Sequence, residues 1–399
     1  MSRRPLEGVT VLEVCHFLAG PYAGLVLADL GADVIKLEDP DRPDEARSMA
    51  PLNEAGESLY FLALNWGKRS VGVRLASEEG RAVAADLAAR ADVLLTNYRP
   101  GALARRGLDA RALAARNPRL VTCAISGFGE TGPDADRPGY DYTIQAMAGV
   151  MHHAGEPDGP PAKAGISYVD HSGGLAAALG VVAALFERER TGRGRHVDLG
   201  LFDVQVSMLS YLASWSLNAG LEPARTASSA HPSLVPAQNF ETADGWISLF
   251  VGNDSMWARL VEALGDEGLA DPRFATRDGR LTRRDDLVEH LGRRLREAPS
   301  RHWVELLSRA GVACAPVNTV AEALAEPQVA ARGLVVGSEH PAYGPYRHVA
   351  GPLPGLGGCR LPGAPRLGEH TEAVLAGIGY DEGRIAALGA AGVLEAVPA

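Results

Sequence analysis

The sequence predicts an α/β fold, with a parallel-sheet large domain followed by a smaller α+β domain. Three observations carry this. From Val9 onward, apolar β-branched runs alternate with helical stretches. A break rich in Pro, Ser and Ala, "LEPARTASSAHPSLVP", follows at 221–236. Beyond it, a hairpin signal and a series of helical segments replace the alternation. Alternating strands and helices call for a parallel sheet covered on both faces.

The elements follow in order. "VTVLEV" (9–14) is the first strand. In "CHFLAGPYAGLVLADLG", Gly20 and Pro21 open a helix and Gly31 stops it; "DVIKLE" (33–38) is the next strand. The pattern recurs with "SVGVRL" (70–75), the helix "SEEGRAVAADLAARA" (77–91), "DVLLTN" (92–97) and "RLVTCAISGFG" (119–129), a Rossmann-like alternation. "ISYVDHSGGLAAALGVVAALFERERTG" reads as a short β-like run ending at Asp170, then a helix starting near Gly173. "GRHVDLGLFDVQVSMLSYLASWSLNAG" gives a strand and one long helix, so the large domain spans 1–220. After the 221–236 linker, a hairpin turns at Asp244-Gly245, and helices at 255–265, 280–297 and 301–311 complete a small domain at 237–328. A Gly/Pro-rich run (351–366) and a short helical tail fill the remaining 329–399.

Charge narrows the function. With 39 basic and 49 acidic residues, the net charge of −10 argues against a broad nucleic-acid surface. An anionic small molecule needs only a local cluster of cations. Cys15, Cys123, Cys314 and Cys359 lie far apart without a CxxC pair, which points away from disulfides and zinc and towards a reducing, cytoplasmic setting. No apolar h-region precedes the first strand, so no signal peptide is expected. The longest apolar run, Leu175 to Phe186, is too short for a bilayer, so no membrane partner is expected.

Three patterns bear on chemistry. "GFGETG" (127–132) matches a dinucleotide fingerprint, but "PDADRPGYD" follows where a helix would have to start. Cations gather where strands end (His16, Lys36, Arg99, Arg105, Arg137), with Lys68 and Arg69 just before a strand. Asp170 or Ser172 suits a helix cap. Yet Gly173 and Gly174 each cost the helix about 1 kcal/mol relative to alanine. Their N–H groups are candidates to hold an oxyanion beside an ionised Asp170 nucleophile. Asp170-His171-Ser172 is not read as a hydrolase triad, and His152-His153 lack a partner at metal-ligand spacing.

These motifs, with "NWGKRSVGV", "NYRPGALARRGL", "RPGYD", "GVACAPVN" and "APRLGEHT", make the chain resemble the class III (CaiB/BaiF-type) coenzyme A transferases over nearly its whole length. That family also includes α-methylacyl-CoA racemases. The resemblance implies that Asp170 is the catalytic aspartate. It implies CoA contacts from His16, Phe17, Leu18, Ala19, Asn97, Tyr98, Arg105, Arg137 and Tyr140. Members with a basic residue directly after "IKxE" direct it at the CoA phosphates; here that residue is Asp39, and Lys36 and Arg69 are the compensating candidates. The racemases carry Gly-His-Asp where this chain has Gly139-Tyr140-Asp141. Tyrosine, with a pKa near 10, suits proton abstraction poorly. The implied reaction is therefore transfer of CoA from an acyl-CoA, succinyl-CoA among the donors, to a free carboxylic acid through aspartyl anhydride and aspartyl-CoA intermediates. The alternatives are racemisation and non-catalytic CoA binding. The resemblance further implies CoA as substrate with no tightly bound cofactor, an interlocked ring-like homodimer, and a terminal segment returning to the large domain. The glycine-run loop of some members is missing; "SSAHPSLVPAQNF" stands in its region.

Overall fold

The computed structural model describes residues 4–99, 101–357 and 361–395. The chain forms two compact units. One comprises 1–148, 165–208 and 327–399, and the other 149–164 and 209–326.

The first unit runs β1 (Thr10–Val14), α1 (Ala19–Asp29), β2 (Asp33–Glu38), α2 (Leu59–Asn65), β3 (Arg69–Val73), α3 (Glu78–Arg90), β4 (Val93–Thr96), α4 (Ala110–Arg116), β5 (Val121–Ser126) and α5 (Asp141–Met147). The short helix α6 (Val150–His153) belongs to the second unit. The first unit resumes with α7 (Tyr168–Thr191), β6 (His196–Gly200) and α8 (Leu201–Met208). β1 to β6 pair in parallel in the order 3-2-1-4-5-6, and the C-terminal pair Leu394–Glu395 adds antiparallel to β3. Alternate residues of the strands feed two cores. Val11, Val34, Val93, Leu95 and Val121 pack with α1 and α7. Leu12, Val14, Ile35, Leu37, Val71 and Leu94 pack with α3, α4 and the terminal residues Val374, Leu375 and Ile385. Burial on both faces explains why these strands read as continuous apolar runs. Ser77 caps α3 by accepting the Gly80 N–H, as "SEEG" suggests.

Two sequence expectations change here. α7 begins at Tyr168, so Asp170 sits in a first helical turn and not at the end of a strand. The helix after β6 is two, breaking at Leu209, and the second (Ser210–Ala219) belongs to the other unit. Among the described residues, α7 is long and apolar enough to cross a membrane by length and composition. One side packs on α1, β5 and β6, while Leu175, Leu179 and Phe186 are exposed.

The second unit builds a core from Phe240, Ile247, Leu249, Trp257, Leu260, Leu291 and Trp303. Its antiparallel sheet pairs Ala237–Glu241 with Trp246–Phe250, the hairpin expected at Asp244-Gly245, and adds Ala313–Pro316. Helices Asp254–Leu264, Arg284–Leu295 and Ser300–Arg309 pack beside it.

Candidate active site

In an open sheet of order 3-2-1-4-5-6, ligands bind where the order reverses, beyond the carboxyl ends of β1 and β4. His16 follows β1 and Asn97 follows β4. The Asn97 side chain joins them: its Nδ2 donates to the His16 carbonyl (2.7 Å) and its Oδ1 accepts the His16 N–H (2.9 Å). The His16 ring nitrogen Nε2 bonds the Tyr98 hydroxyl. Burial, helped by the Lys36 charge, holds the imidazole below its usual 6.5. Burial pushes Tyr98 up to about 12. Phe17 adopts a left-handed backbone (φ 60°) and donates its N–H to Asp44 Oδ1 at 3.0 Å. Leu18 and Ala19 open α1, which has no side-chain cap, and a helix start of this kind favours an anion.

These residues line one cavity of about 300 Å³ with Arg99, Arg137, Tyr140, Asp170 and Leu201. The glycines of "GFGETG" and "RPGYD" bring its far wall in. A Cβ on Gly127 would lie 2.6 Å from the Gly139 Cα, so only glycines let the Arg137–Tyr140 segment lie against the end of β5. Arg137 sits over the Phe128 ring, 5.5 Å from its centroid.

The start of α7 presents Asp170. The Val169 N–H, an orphan donor of the first turn, is taken by Asp141 Oδ2 at 2.9 Å. Asp141 Oδ1 accepts from Gln145 Nε2 (2.7 Å). Asp141 thus does the capping assigned by sequence to Asp170 or Ser172, and Asp170 lines the cavity. Ser172 Oγ donates to the Tyr168 carbonyl (2.8 Å) and the His171 ring bonds the Ser167 carbonyl (2.7 Å), so both side chains turn back onto the start of their own helix.

Gly173 and Gly174 do not offer N–H groups to an oxyanion. They lie in the second turn of α7, where the N–H groups are spent on the helix. Their lack of side chains serves packing. A Cβ on Gly174 would stand 2.7 Å from the Ala19 carbonyl oxygen, and one on Gly173 2.2 Å from Leu201 Cδ2.

The phosphate-binding roles given to Lys36 and Arg69 are also corrected. Lys36 has no exposed side-chain surface and is ion-paired to Glu13 (3.2 Å) and Asp44 (2.9 Å). Lys68 is likewise buried against the other Glu13 oxygen (2.8 Å). Arg69 pairs with Asp33 at the amino ends of β2 and β3, away from the crevice. Arg105 falls in the short turn Ala104–Arg106; its side chain lies outside the described residues, as do Cys359 and the centre of the Gly/Pro-rich run. Arg99 and Arg137 are the described arginines at the cavity.

Sequence reasoning missed three residues. Asp44, in "RPDEARS", lies between the recognised strands and carries no motif. Asp141 closes "RPGYD" and could have been weighed as a cap acceptor for a later helix start. Tyr60 lies in α2, near enough to Asp170 for its charge to count: burial, then Asp170, Asp44 and Asp141, drive its hydroxyl well above the usual 10.

An acidic side chain thus lies at the switch point of a Rossmann-ordered α/β sheet, beside a helix start suited to anions. The chain belongs to CoA-transferase family III, whose profile matches residues 6–371. It is 37% identical over 399 residues to succinyl-CoA:glutarate CoA-transferase of Mus musculus, covering 99% of this chain and 91% of that one. It is 38% identical over 391 residues to succinate–glutarate CoA-transferase of Agrobacterium fabrum, covering 93% and 95%. A CaiB/BaiF family protein from Brucella suis superposes with a TM-score of 0.82 at 38% identity, over 94% of this chain and all of that one. The protein is a CoA-transferase, with CoA thioesters as substrates.

Proposed function

We propose that Asp170 is the nucleophile of a carboxylate exchange on CoA. Its carboxylate attacks the carbonyl carbon of the donor acyl-CoA, the C–S bond breaks, and CoA thiolate leaves a mixed anhydride. The thiolate attacks the aspartyl carbonyl, releasing the donor carboxylate and leaving aspartyl-CoA thioester. The acceptor carboxylate attacks that thioester, and the returning thiolate then takes the acceptor acyl group and regenerates Asp170. No net proton is consumed. The observation that carries this is the Asp141–Val169 hydrogen bond, which caps α7 and leaves Asp170 a lining residue of the cavity.

The CoA contacts fall to His16, Phe17, Leu18, Ala19, Asn97, Tyr98, Arg137 and Tyr140, with Arg99 beside them. Short dicarboxylates, with succinyl-CoA as donor, are the acids we assign, supported by the names of the relatives. The exposed Leu179 and Phe186 on α7, 71% and 67% accessible, suit burial in an interlocked homodimer.

The test is to incubate the protein with succinyl-CoA and hydroxylamine and map the product by mass spectrometry. A hydroxamate at Asp170, and loss of exchange in Asp170→Ala, is expected. Full transfer by Asp170→Ala would sink the mechanism.

A further inference from the structure

The cavity wall at Cys15–Phe17 is held through four consecutive backbone groups. Asn97 takes the inner two, the N–H and carbonyl of His16. The outer two go to a buried ion pair. Lys36 Nζ donates to the Cys15 carbonyl (2.8 Å), and Asp44 Oδ1 accepts the Phe17 N–H (3.0 Å). Lys36 and Asp44 close the ring through their own contact at 2.9 Å, neither side chain having exposed surface.

Within this ring Phe17 holds φ at 60°, a conformation that bulky residues rarely adopt. Such a backbone persists only where its surroundings over-determine it. Asp44 has further holds of its own. It accepts the Ala46 N–H (3.0 Å), and its N–H donates to Glu38 (3.3 Å), which in turn binds Arg47 through two side-chain bonds (2.6 and 2.9 Å).

We propose that the Lys36–Asp44 pair is a positioning device for acyl-CoA: it fixes the left-handed Phe17 so that the His16–Ala19 turn is preformed for the ligand. Neither residue lines the cavity, so the pair acts through the backbone it holds. This rests on the reading that the cavity receives acyl-CoA. Preforming the turn removes an ordering cost from binding, so its loss appears in affinity rather than in the chemical step.

The test compares full-length wild type, Asp44→Asn, which keeps an oxygen for the Phe17 N–H, and Asp44→Ala, which keeps none. We expect folded Asp44→Ala to bind CoA about tenfold more weakly by calorimetry and to raise the acyl-CoA KM alike, with kcat within about threefold and the acid KM unmoved. Asp44→Asn falls between. A merely structural role would lower the unfolding temperature and leave CoA affinity unchanged, and that result overturns the proposal. Hydrogen exchange on the unliganded wild type keeps the question open to test if Asp44→Ala does not fold. The Phe17 amide should be protected before CoA is added; exchange at the rate of an open loop would overturn the proposal. A wild type that binds no CoA overturns the functional reading and the pair's role together. Wild-type binding that Asp44→Ala matches overturns the pair's role alone.

Discussion

The Asp141 carboxylate accepts the Val169 N–H at 2.9 Å, one residue before Asp170. Two acidic residues thereby divide two tasks at one helix start. Asp141, from α5, satisfies the helix end, and Asp170 lines the cavity. Asp141→Ala removes a cap of a kind worth about 1 kcal/mol. We expect the urea midpoint to drop accordingly, and transfer activity to fall further than stability does, because the first turn of α7 loses its anchor. Activity at wild-type level in Asp141→Ala would count against the division of tasks.

Tyr60 is the second group tied to Asp170. Its hydroxyl, raised by burial and by the charges of Asp170, Asp44 and Asp141, stays protonated at neutral pH and is a donor within the field of the Asp170 carboxylate. Tyr60→Phe deletes that donor and leaves the ring in its cluster with Phe61 and Tyr343. A fall in kcat of about tenfold, with a urea midpoint close to wild type, is the expected result.

The acid limb of stability should report the buried charges beneath the cavity. Burial alone would raise the Asp44 and Glu38 carboxyls, but Lys36 and hydrogen bonds for Asp44, and Arg47 for Glu38, outweigh it and hold them below their usual 3.8 and 4.5. A carboxyl lowered in the fold contributes stability that is complete above its unfolded value and is lost as pH falls through the folded one. Urea midpoints should therefore stay level down to about pH 5 as far as this pair is concerned, and fall below about pH 4. Asp44→Asn should start less stable at neutral pH and lose less on acidification. A parallel acid limb in Asp44→Asn would show that Asp44 does not contribute to it.

The parallel sheet was legible because strands buried on both faces announce themselves as apolar runs, and β1, β2 and β4 appear within a residue or two of the expected bounds. Asp170 drew notice because the two glycines that follow it are costly to a helix without a reason, and the structure places it in the cavity lining. The glycines' real purpose was hidden. Whether Gly174 serves a ligand or a neighbouring helix depends on α1 lying against it, which no local pattern shows. Lys36 and Arg69 misled for a related cause. Position at a strand end suggests exposure, but Glu13 and Asp44 reach Lys36 from elsewhere in the chain, and Arg69, read as lying just before its strand, is taken up by Asp33 at the amino ends of β2 and β3.

The glycines give the last prediction, in which two neighbouring substitutions part company. Alanine should favour a helix interior by about 1 kcal/mol over glycine at either site. At Gly174 the added Cβ would meet backbone, the Ala19 carbonyl at 2.7 Å and the Ala23 nitrogen at 3.3 Å, and neither can step aside without moving α1. At Gly173 the obstacle is the tip of Leu201, a side chain with rotamer freedom. Gly174→Ala should therefore be net destabilising by roughly 1–3 kcal/mol and should raise the acyl-CoA KM, since Ala19 lines the cavity. Gly173→Ala should cost clearly less. Urea denaturation of both variants, with acyl-CoA kinetics, checks the order; equal effects would mean that Leu201 is as immovable as the α1 backbone.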